Sequence, residues 1–68
     1  MTPTARELEV LSQVVEAGSV KDAALRLGIA EATVKNHLAH MRSKFGARST
    51  AQLVFRLHEP LARRPKHG

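Results

Sequence analysis

The chain has 68 residues, enough for one small domain, and a domain of this size buries only about 60% of the surface that its unfolded chain exposes. It contains no cysteine, which excludes disulfides, thiolate metal sites and thiol nucleophiles. The formal net charge is +5, and no apolar run approaches the roughly 20 residues of a membrane span. Because no secretory signal opens the chain, we expect a cytoplasmic protein that does not bind membranes.

Apolar spacing and the positions of glycine predict an all-helical chain. Gly18, Gly28 and Gly46 each follow a segment with apolar residues at helical spacing, and helices often end at a glycine in the left-handed conformation. No stretch alternates apolar and polar residues as a strand does. The predicted helices cover residues 5–17, 20–27, 31–45 and 50–58. We therefore expect a compact all-α bundle of four helices.

The ends of the helices are marked by capping residues and by a proline. Three helices are preceded by a residue that can cap them, namely Thr4, Ser19 and Ser49. Pro60 is expected to end the fourth helix, because its ring would clash with the carbonyl group of Arg56. The domain is therefore expected to occupy residues 1–60, and residues 61–68 to form a basic, disordered tail.

The same spacing assigns an inward face to each helix. In the first helix this face comprises Leu8, Leu11 and Val15, flanked by Val10 and Val14. In the following helices it comprises Val20, Ala23, Ala24 and Leu27, then Val34, Leu38, Met41 and Phe45, and finally Leu53, Val54 and Leu57.

The second and third helices form a short helix, a turn with Gly28 and a longer helix, which is the helix-turn-helix arrangement. In that motif the second of the two helices enters the major groove of duplex DNA. Its predicted outer face is small and polar and carries no acid, comprising Ala32, Lys35, Asn36, Ala39, His40 and Ser43. Lys35 can donate to guanine and Asn36 can pair with adenine, whereas Ala39 lets the backbone approach a base. An ordinary solvated helix face is the alternative, although such a face typically carries Glu as well as Lys.

The distribution of charge supports a polyanionic partner. Residues 20–48 carry six basic side chains against two acidic ones, and residues 49–68 carry four against one. A basic surface on a small domain favours nucleic acid as the partner.

Several segments of the chain together carry a family pattern. They are residues 4–11 in the first helix, 17–24 and 27–29 around the second, 33–38 and 41–46 in the third, and 52–54 in the fourth. In this order, and without a gap over residues 3–58, they resemble the LuxR-type (LuxR/FixJ/GerE) DNA-binding domain of bacterial transcription regulators.

The resemblance implies sequence-specific binding of double-stranded DNA by the output domain of a regulator such as a response regulator, usually as a homodimer. RNA polymerase is a further candidate partner. Carried over by position, the resemblance places Lys35, Asn36 and Ala39 at the bases and Lys21, Thr33 and Lys44 at the DNA backbone. Neither an enzymatic activity nor a cofactor is implied.

Four residues depart from those common in the family. Ala30 stands where a serine commonly caps the third helix, and its loss as a cap costs about 1 kcal/mol. Val20 replaces a common asparagine, Thr50 replaces a common arginine, and Ala39 lacks the hydrogen-bond donor that some relatives have. These departures leave the expected fold unchanged and bear on the target DNA sequence.

The fourth helix carries a second stripe beside its inward face. Ala51, Phe55 and His58 are spaced i, i+4, i+7 and point away from the predicted core. The family uses this helix for dimerisation, so these three residues are the expected dimer interface. The alternative is that Phe55 folds back onto the small core.

Metal binding and catalysis are not expected. His37 and His40 share one helix three positions apart, but Glu31 is the only acid of that helix and no cysteine is present. No serine belongs to a recognisable catalytic motif, and no glycine-rich phosphate loop occurs.

Other functions remain as alternatives. A promoter-reading helical domain of the sigma-factor type shares the helix-turn-helix, but it would require RNA polymerase in order to bind DNA. A helical protein-interaction module, or a domain that binds an anionic surface, would not discriminate between DNA sequences.

Overall fold

The computed structural model of the protein describes residues 2–63. In that range the chain forms five α-helices and no strand: α1 (Ala5–Ala17), α2 (Val20–Leu27), α3 (Glu31–Phe45), α4 (Thr50–Arg56) and α5 (His58–Arg63). The first four confirm the predicted all-α fold, and α2 and α3 form the helix-turn-helix. None of the helices within residues 2–63 has the length and apolar character needed to cross a membrane.

The turn between α2 and α3 depends on the backbone conformation of Gly28. Its φ of 69° lies in the left-handed region, which residues other than glycine rarely adopt. The requirement is one of backbone conformation and not of space, because an added Cβ would meet no atom within 4 Å. Beyond it, the N–H of Ile29 donates to the carbonyl of Ala24 at 3.1 Å, and the Ile29 side chain packs against the core. This arrangement ends α2 and directs the chain into α3 within three residues.

The predicted caps are present at three helix starts. Thr4 and Glu7 form a complete capping box: the Glu7 N–H donates to Thr4 Oγ1 at 3.1 Å, and the Thr4 N–H donates to Glu7 Oε1 at 2.7 Å. The side chains of Ser19 and Ser49 accept from the third backbone N–H of α2 and α4, respectively. In contrast, Ala30 begins α3 without any side-chain cap, as expected.

The core lies where α1, α2 and α4 meet the inner side of α3. Its buried side chains are Val10, Leu11, Ala24, Val34, Leu38, Met41, Leu53 and Leu57. Partly buried residues on the predicted faces, among them Val20, Leu27, Phe45 and Val54, pack against this cluster. The inward faces of the second, third and fourth helices are thereby confirmed.

The predicted inward face of the first helix was wrong by part of a turn. Val15 is 51% exposed, whereas Val10 and Leu11 are fully buried and Val14 packs against the core. The buried stripe follows the spacing i, i+3, i+4, i+7 and begins with a charged residue, Glu7, followed by Val10, Leu11 and Val14. A prediction from apolar residues alone leaves out Glu7, the first member of this stripe, and therefore assigns the wrong side of α1 to the core.

Glu7 is buried because it binds Lys44 across the domain. The Lys44 ammonium lies 3.0 Å from Glu7 Oε1 and 3.2 Å from Oε2, and it lies 5.3 Å from the centroid of the Phe45 ring. The side chain of Glu7 is only 10% exposed and that of Lys44 only 20%. Burial raises the pKa of Glu7, but the hydrogen bond from the Thr4 N–H and the Lys44 ammonium lower it more, so the pKa lies below the ordinary value of a glutamate. The pair joins the first turn of α1 to the last turn of α3.

The C-terminal part of the domain differs from the prediction. The helical geometry ends at Arg56, Leu57 adopts φ −107° and ψ 14°, and α5 begins at the next residue. Pro60 is thus the third residue of a new helix, where its missing N–H has no helical acceptor to lose.

Residue 61, the first residue of the expected tail, is helical and packs against the core. The N–H of Leu61 donates to the carbonyl of Leu57 at 2.9 Å, so the helical domain extends to Arg63. The helix α5 thus continues past residue 60, at which the domain was predicted to end. Residues 64–68 of the predicted tail lie outside the described residues.

Replacing Ala30 with serine should stabilise the domain. A serine at this position can accept a hydrogen bond from the first turn of α3, which is worth about 1 kcal/mol. Urea unfolding followed by circular dichroism measures the change. Ala39→Ser, in the middle of the same helix, is the control and should destabilise by about 0.5 kcal/mol. An Ala30→Ser variant no more stable than the wild type would contradict the role assigned to this position.

The lowered pKa of Glu7 predicts a loss of stability in acid. Because the folded-state pKa lies below the unfolded value, the carboxylate stabilises the fold above about pH 4.5, and this contribution disappears as the pH falls through the folded pKa. Glu7→Gln should be less stable than the wild type at pH 7, and the difference should shrink toward pH 3. Urea midpoints across this pH range provide the measurement.

Glu9→Gln is the control for that series, since Glu9 pairs with Arg6 at the exposed surface at 2.7 Å. Exposed pairs contribute about 0–1 kcal/mol, so its effect at pH 7 should be smaller than that of Glu7→Gln. Equal losses in the two variants would show that the buried pair carries no special weight.

Candidate nucleic-acid interface

The outer side of α3 is open, and the six residues assigned to it include no acid. Lys35, Asn36 and Ala39, the predicted base contacts, are all exposed, as are Ala32, His40 and Ser43 beside them. The opposite side of the helix holds Val34, Leu38 and Met41 in the core. This division follows from the helical repeat, which places the two sets on opposite sides of one cylinder. We call this surface the reading face and define it by Lys35, Asn36 and Ala39.

The polar groups of the reading face are available to a ligand. Among residues 2–63, the side chains of Lys35 and Asn36 have no hydrogen-bond or ion-pair partner. The same holds for the ammonium group of Lys21, which is exposed in the first turn of α2. Thr33 is exposed in the first turn of α3. The predicted base contacts and two of the three predicted backbone contacts are therefore exposed on α2 and α3.

Lys44 is the predicted backbone contact that the structure places differently. Its ammonium is held between the Glu7 carboxylate and the Phe45 ring instead of pointing into solvent. Sequence reasoning missed its partner, because Glu7 lies 37 positions away along the chain. The available signal in the sequence was the spacing of Glu7 from Val10 and Leu11, three and four positions, which places all three residues on one side of α1.

A second cation links α3 to α4. Arg42 donates to Thr50 Oγ1 over 3.4 Å, a long hydrogen bond between the last turns of α3 and the first residue of α4. Thr50 is the residue that departs from the arginine common in the family. Sequence reasoning assigned no role to Arg42, whose contact again depends on a turn that local patterns do not describe.

The second stripe of the fourth helix is exposed. Ala51 and Phe55 lie on α4, and Phe55 is 78% exposed, which excludes the alternative that it folds back onto the core of the domain. His58 does not continue that helix as expected, because α4 ends at Arg56 and His58 is the first residue of α5. Its Nδ1 lies 3.4 Å from the carbonyl oxygen of Phe55, so it remains next to the stripe. We call Ala51, Phe55 and His58 the α4 patch.

The described part of the chain offers no cluster of metal ligands. Within residues 2–63, no group of three or more His, Cys, Asp or Glu side chains is close enough to hold a metal ion. His37 is half-buried and His40 is exposed on α3.

Comparisons with known proteins agree with this geometry. The family model described as bacterial regulatory proteins, luxR family, matches residues 2–57. The chain is 42% identical over 53 residues to the transcriptional regulatory protein TdiR of Thauera aromatica, covering 78% of this chain and 23% of that protein. It is 35% identical over 51 residues to the probable HTH-type transcriptional regulator GfsR of Streptomyces halstedii, covering 75% of this chain and 21% of that protein.

A shorter relative is matched over most of its length. The spore germination protein GerE of Bacillus subtilis (strain 168) is 37% identical over 54 residues, which cover 79% of this chain and 73% of that protein. The chain thus spans less than a quarter of TdiR and GfsR but most of GerE. No solved structure matches the chain. Taken with the helix-turn-helix and its exposed reading face, these matches show that the chain belongs to the luxR family of bacterial regulatory proteins, a family of DNA-binding transcription regulators.

Proposed function

We propose that this domain binds duplex DNA in a sequence-specific manner and serves as the DNA-binding part of a cytoplasmic transcription regulator. The observation that carries the proposal is the reading face: two unpartnered polar side chains stand on an exposed helix side without an acid among them. A carboxylate at this position would repel the phosphates that flank a major groove.

Base recognition is assigned to three positions of α3. Lys35 donates to O6 or N7 of guanine, and the Asn36 amide pairs with N6 and N7 of adenine. Ala39 lies one turn after Lys35, and its methyl group allows close approach or contacts a thymine methyl. Each good base contact contributes about 1–3 kcal/mol of discrimination against the wrong base.

Contacts with the DNA backbone are assigned to Lys21 and Thr33. Both side chains are exposed in the first turns of α2 and α3. The first helix of this motif crosses the DNA backbone, and the family resemblance puts both positions at the phosphates. Lys44 is left out of this set, because its ammonium already binds Glu7.

Substitution of Lys35 and of Lys21 should have different consequences. Lys35→Ala should reduce affinity for a preferred duplex by about 1–3 kcal/mol and relax the preference at one base position. Lys21→Ala should weaken binding to preferred and scrambled duplexes equally and should lower the log–log salt slope by about 0.9. Fluorescence anisotropy over a range of salt concentrations, after selection of a preferred duplex from a random pool, measures both. If both variants lost affinity equally on both duplexes, these roles would be wrong.

Dimerisation through the α4 patch is the second part of the proposal. Phe55 is a large apolar side chain that the isolated domain leaves in water, and such residues favour an interface. A two-fold dimer would place two α3 helices in successive major grooves, about 10 base pairs apart.

Contacts with RNA polymerase are a further proposal, made on the family resemblance alone.

Phe55→Ala should separate dimer binding from folding. Because Phe55 is exposed, its removal should change the stability of the monomer by less than about 0.5 kcal/mol. Affinity for a duplex with two half-sites should fall at least tenfold, whereas affinity for a single half-site should not change. Val15→Ala, at an exposed apolar residue of α1, is the control and should affect neither. Unfolding of the monomer by Phe55→Ala would contradict the interface.

A further inference from the structure

The contact between Glu7 and Lys44 is unusual for a domain with so small a core. It places a carboxylate in the buried stripe of α1 and keeps it there with an ammonium group that approaches both of its oxygens within 3.2 Å. A buried ion pair is weak evidence for stability, since well-packed apolar side chains of similar volume often stabilise a fold as much or more. Its directional bonds can instead specify one arrangement of the elements that they join.

The elements joined here are α1 and the helix that carries the reading face. Glu7 is held in place by the capping box, where it also accepts from the Thr4 N–H at 2.7 Å. Lys44 lies in the last turn of α3, on the flank away from Lys35 and about 14 Å from it along the helix axis at 1.5 Å per residue. The ion pair therefore fixes the far end of α3 against a rigid helix start.

We propose that Glu7 and Lys44 are positioning residues that set the orientation of α3 for base reading, and that Lys44 does not contact DNA phosphate. This inference rests on the proposed DNA binding. A base contact requires atoms to be placed within about 0.5 Å, and a helix free to tilt at one end loses that precision at the other.

The surroundings of Lys44 also argue against a phosphate contact. Its ammonium shares hydrogen bonds with both oxygens of Glu7, and only 20% of the side chain is exposed. A phosphate at this place would have to displace a buried carboxylate or lie next to it. Lys21 and Lys35 have no such competitor among the described residues.

The test compares affinity for a preferred duplex, enriched from a random pool by the wild-type domain, with affinity for a scrambled duplex of the same composition. Lys44→Met should reduce the ratio of the two affinities about tenfold, the loss of one good base contact, while leaving the salt slope unchanged. Lys44→Arg keeps the ion pair and should retain the wild-type ratio. Lys21→Met is the matched control. Its ratio of affinities should be unchanged, and its log–log salt slope should be lower by about 0.9.

The double variant Glu7→Gln/Lys44→Met distinguishes positioning from stability. Removing both charges leaves no uncompensated ion, so its urea midpoint should recover toward that of the wild type. Its ratio of affinities should stay about tenfold reduced, because no directional bond holds α3. If the ratio of affinities recovered together with the stability, the ion pair would have a purely structural role and the proposal would be wrong.

Two other results would decide against the proposal, and they can be told apart. A Lys44→Met variant that behaved like Lys21→Met would make Lys44 a phosphate contact and overturn this inference alone. A wild-type domain without preference for any duplex would overturn the proposed function, and this inference with it.

Discussion

The division of α3 into a buried and an exposed side is the constraint on which the rest of the domain depends. Val34, Leu38 and Met41 occupy the centre of the core, and α1, α2 and α4 all pack against this helix. Since the helix is surrounded on its inner side, only its outer side remains free. The position of the reading face is therefore a consequence of how the core is packed, and the core in turn is centred on the helix that presents that face.

The charged side chains around α3 fall into two groups with different physical roles. Lys21 and Lys35 stand in solvent without partners in the described part of the chain, so their charges act outward. Lys44 and Arg42 are turned inward, toward α1 and α4, where they connect helices. The count of 11 basic side chains in the sequence therefore overstates the number of cations available to a partner.

Local patterns predicted most of the fold, and contacts between distant residues account for the errors. Caps and helix-ending glycines depend on a few neighbouring residues, and the exposure of Lys35 and Asn36 follows from periodicity. The buried face of α1 was not predictable from apolar spacing, because it includes the charged residue Glu7. Glu7 is buried next to Lys44, which is distant in sequence. The fifth helix was missed because a proline tolerated in a first turn resembles, in sequence, one that ends a helix.

The break between α4 and α5 at Leu57 affects how short a fragment of this chain could fold by itself. Leu61 returns to the core through α5, which packs against α1. A truncation at residue 58 would retain every helix of the predicted bundle and yet leave the apolar surface beneath Leu61 exposed to water. The hydrophobic interior is thus covered in part by a residue that lies beyond the four predicted helices.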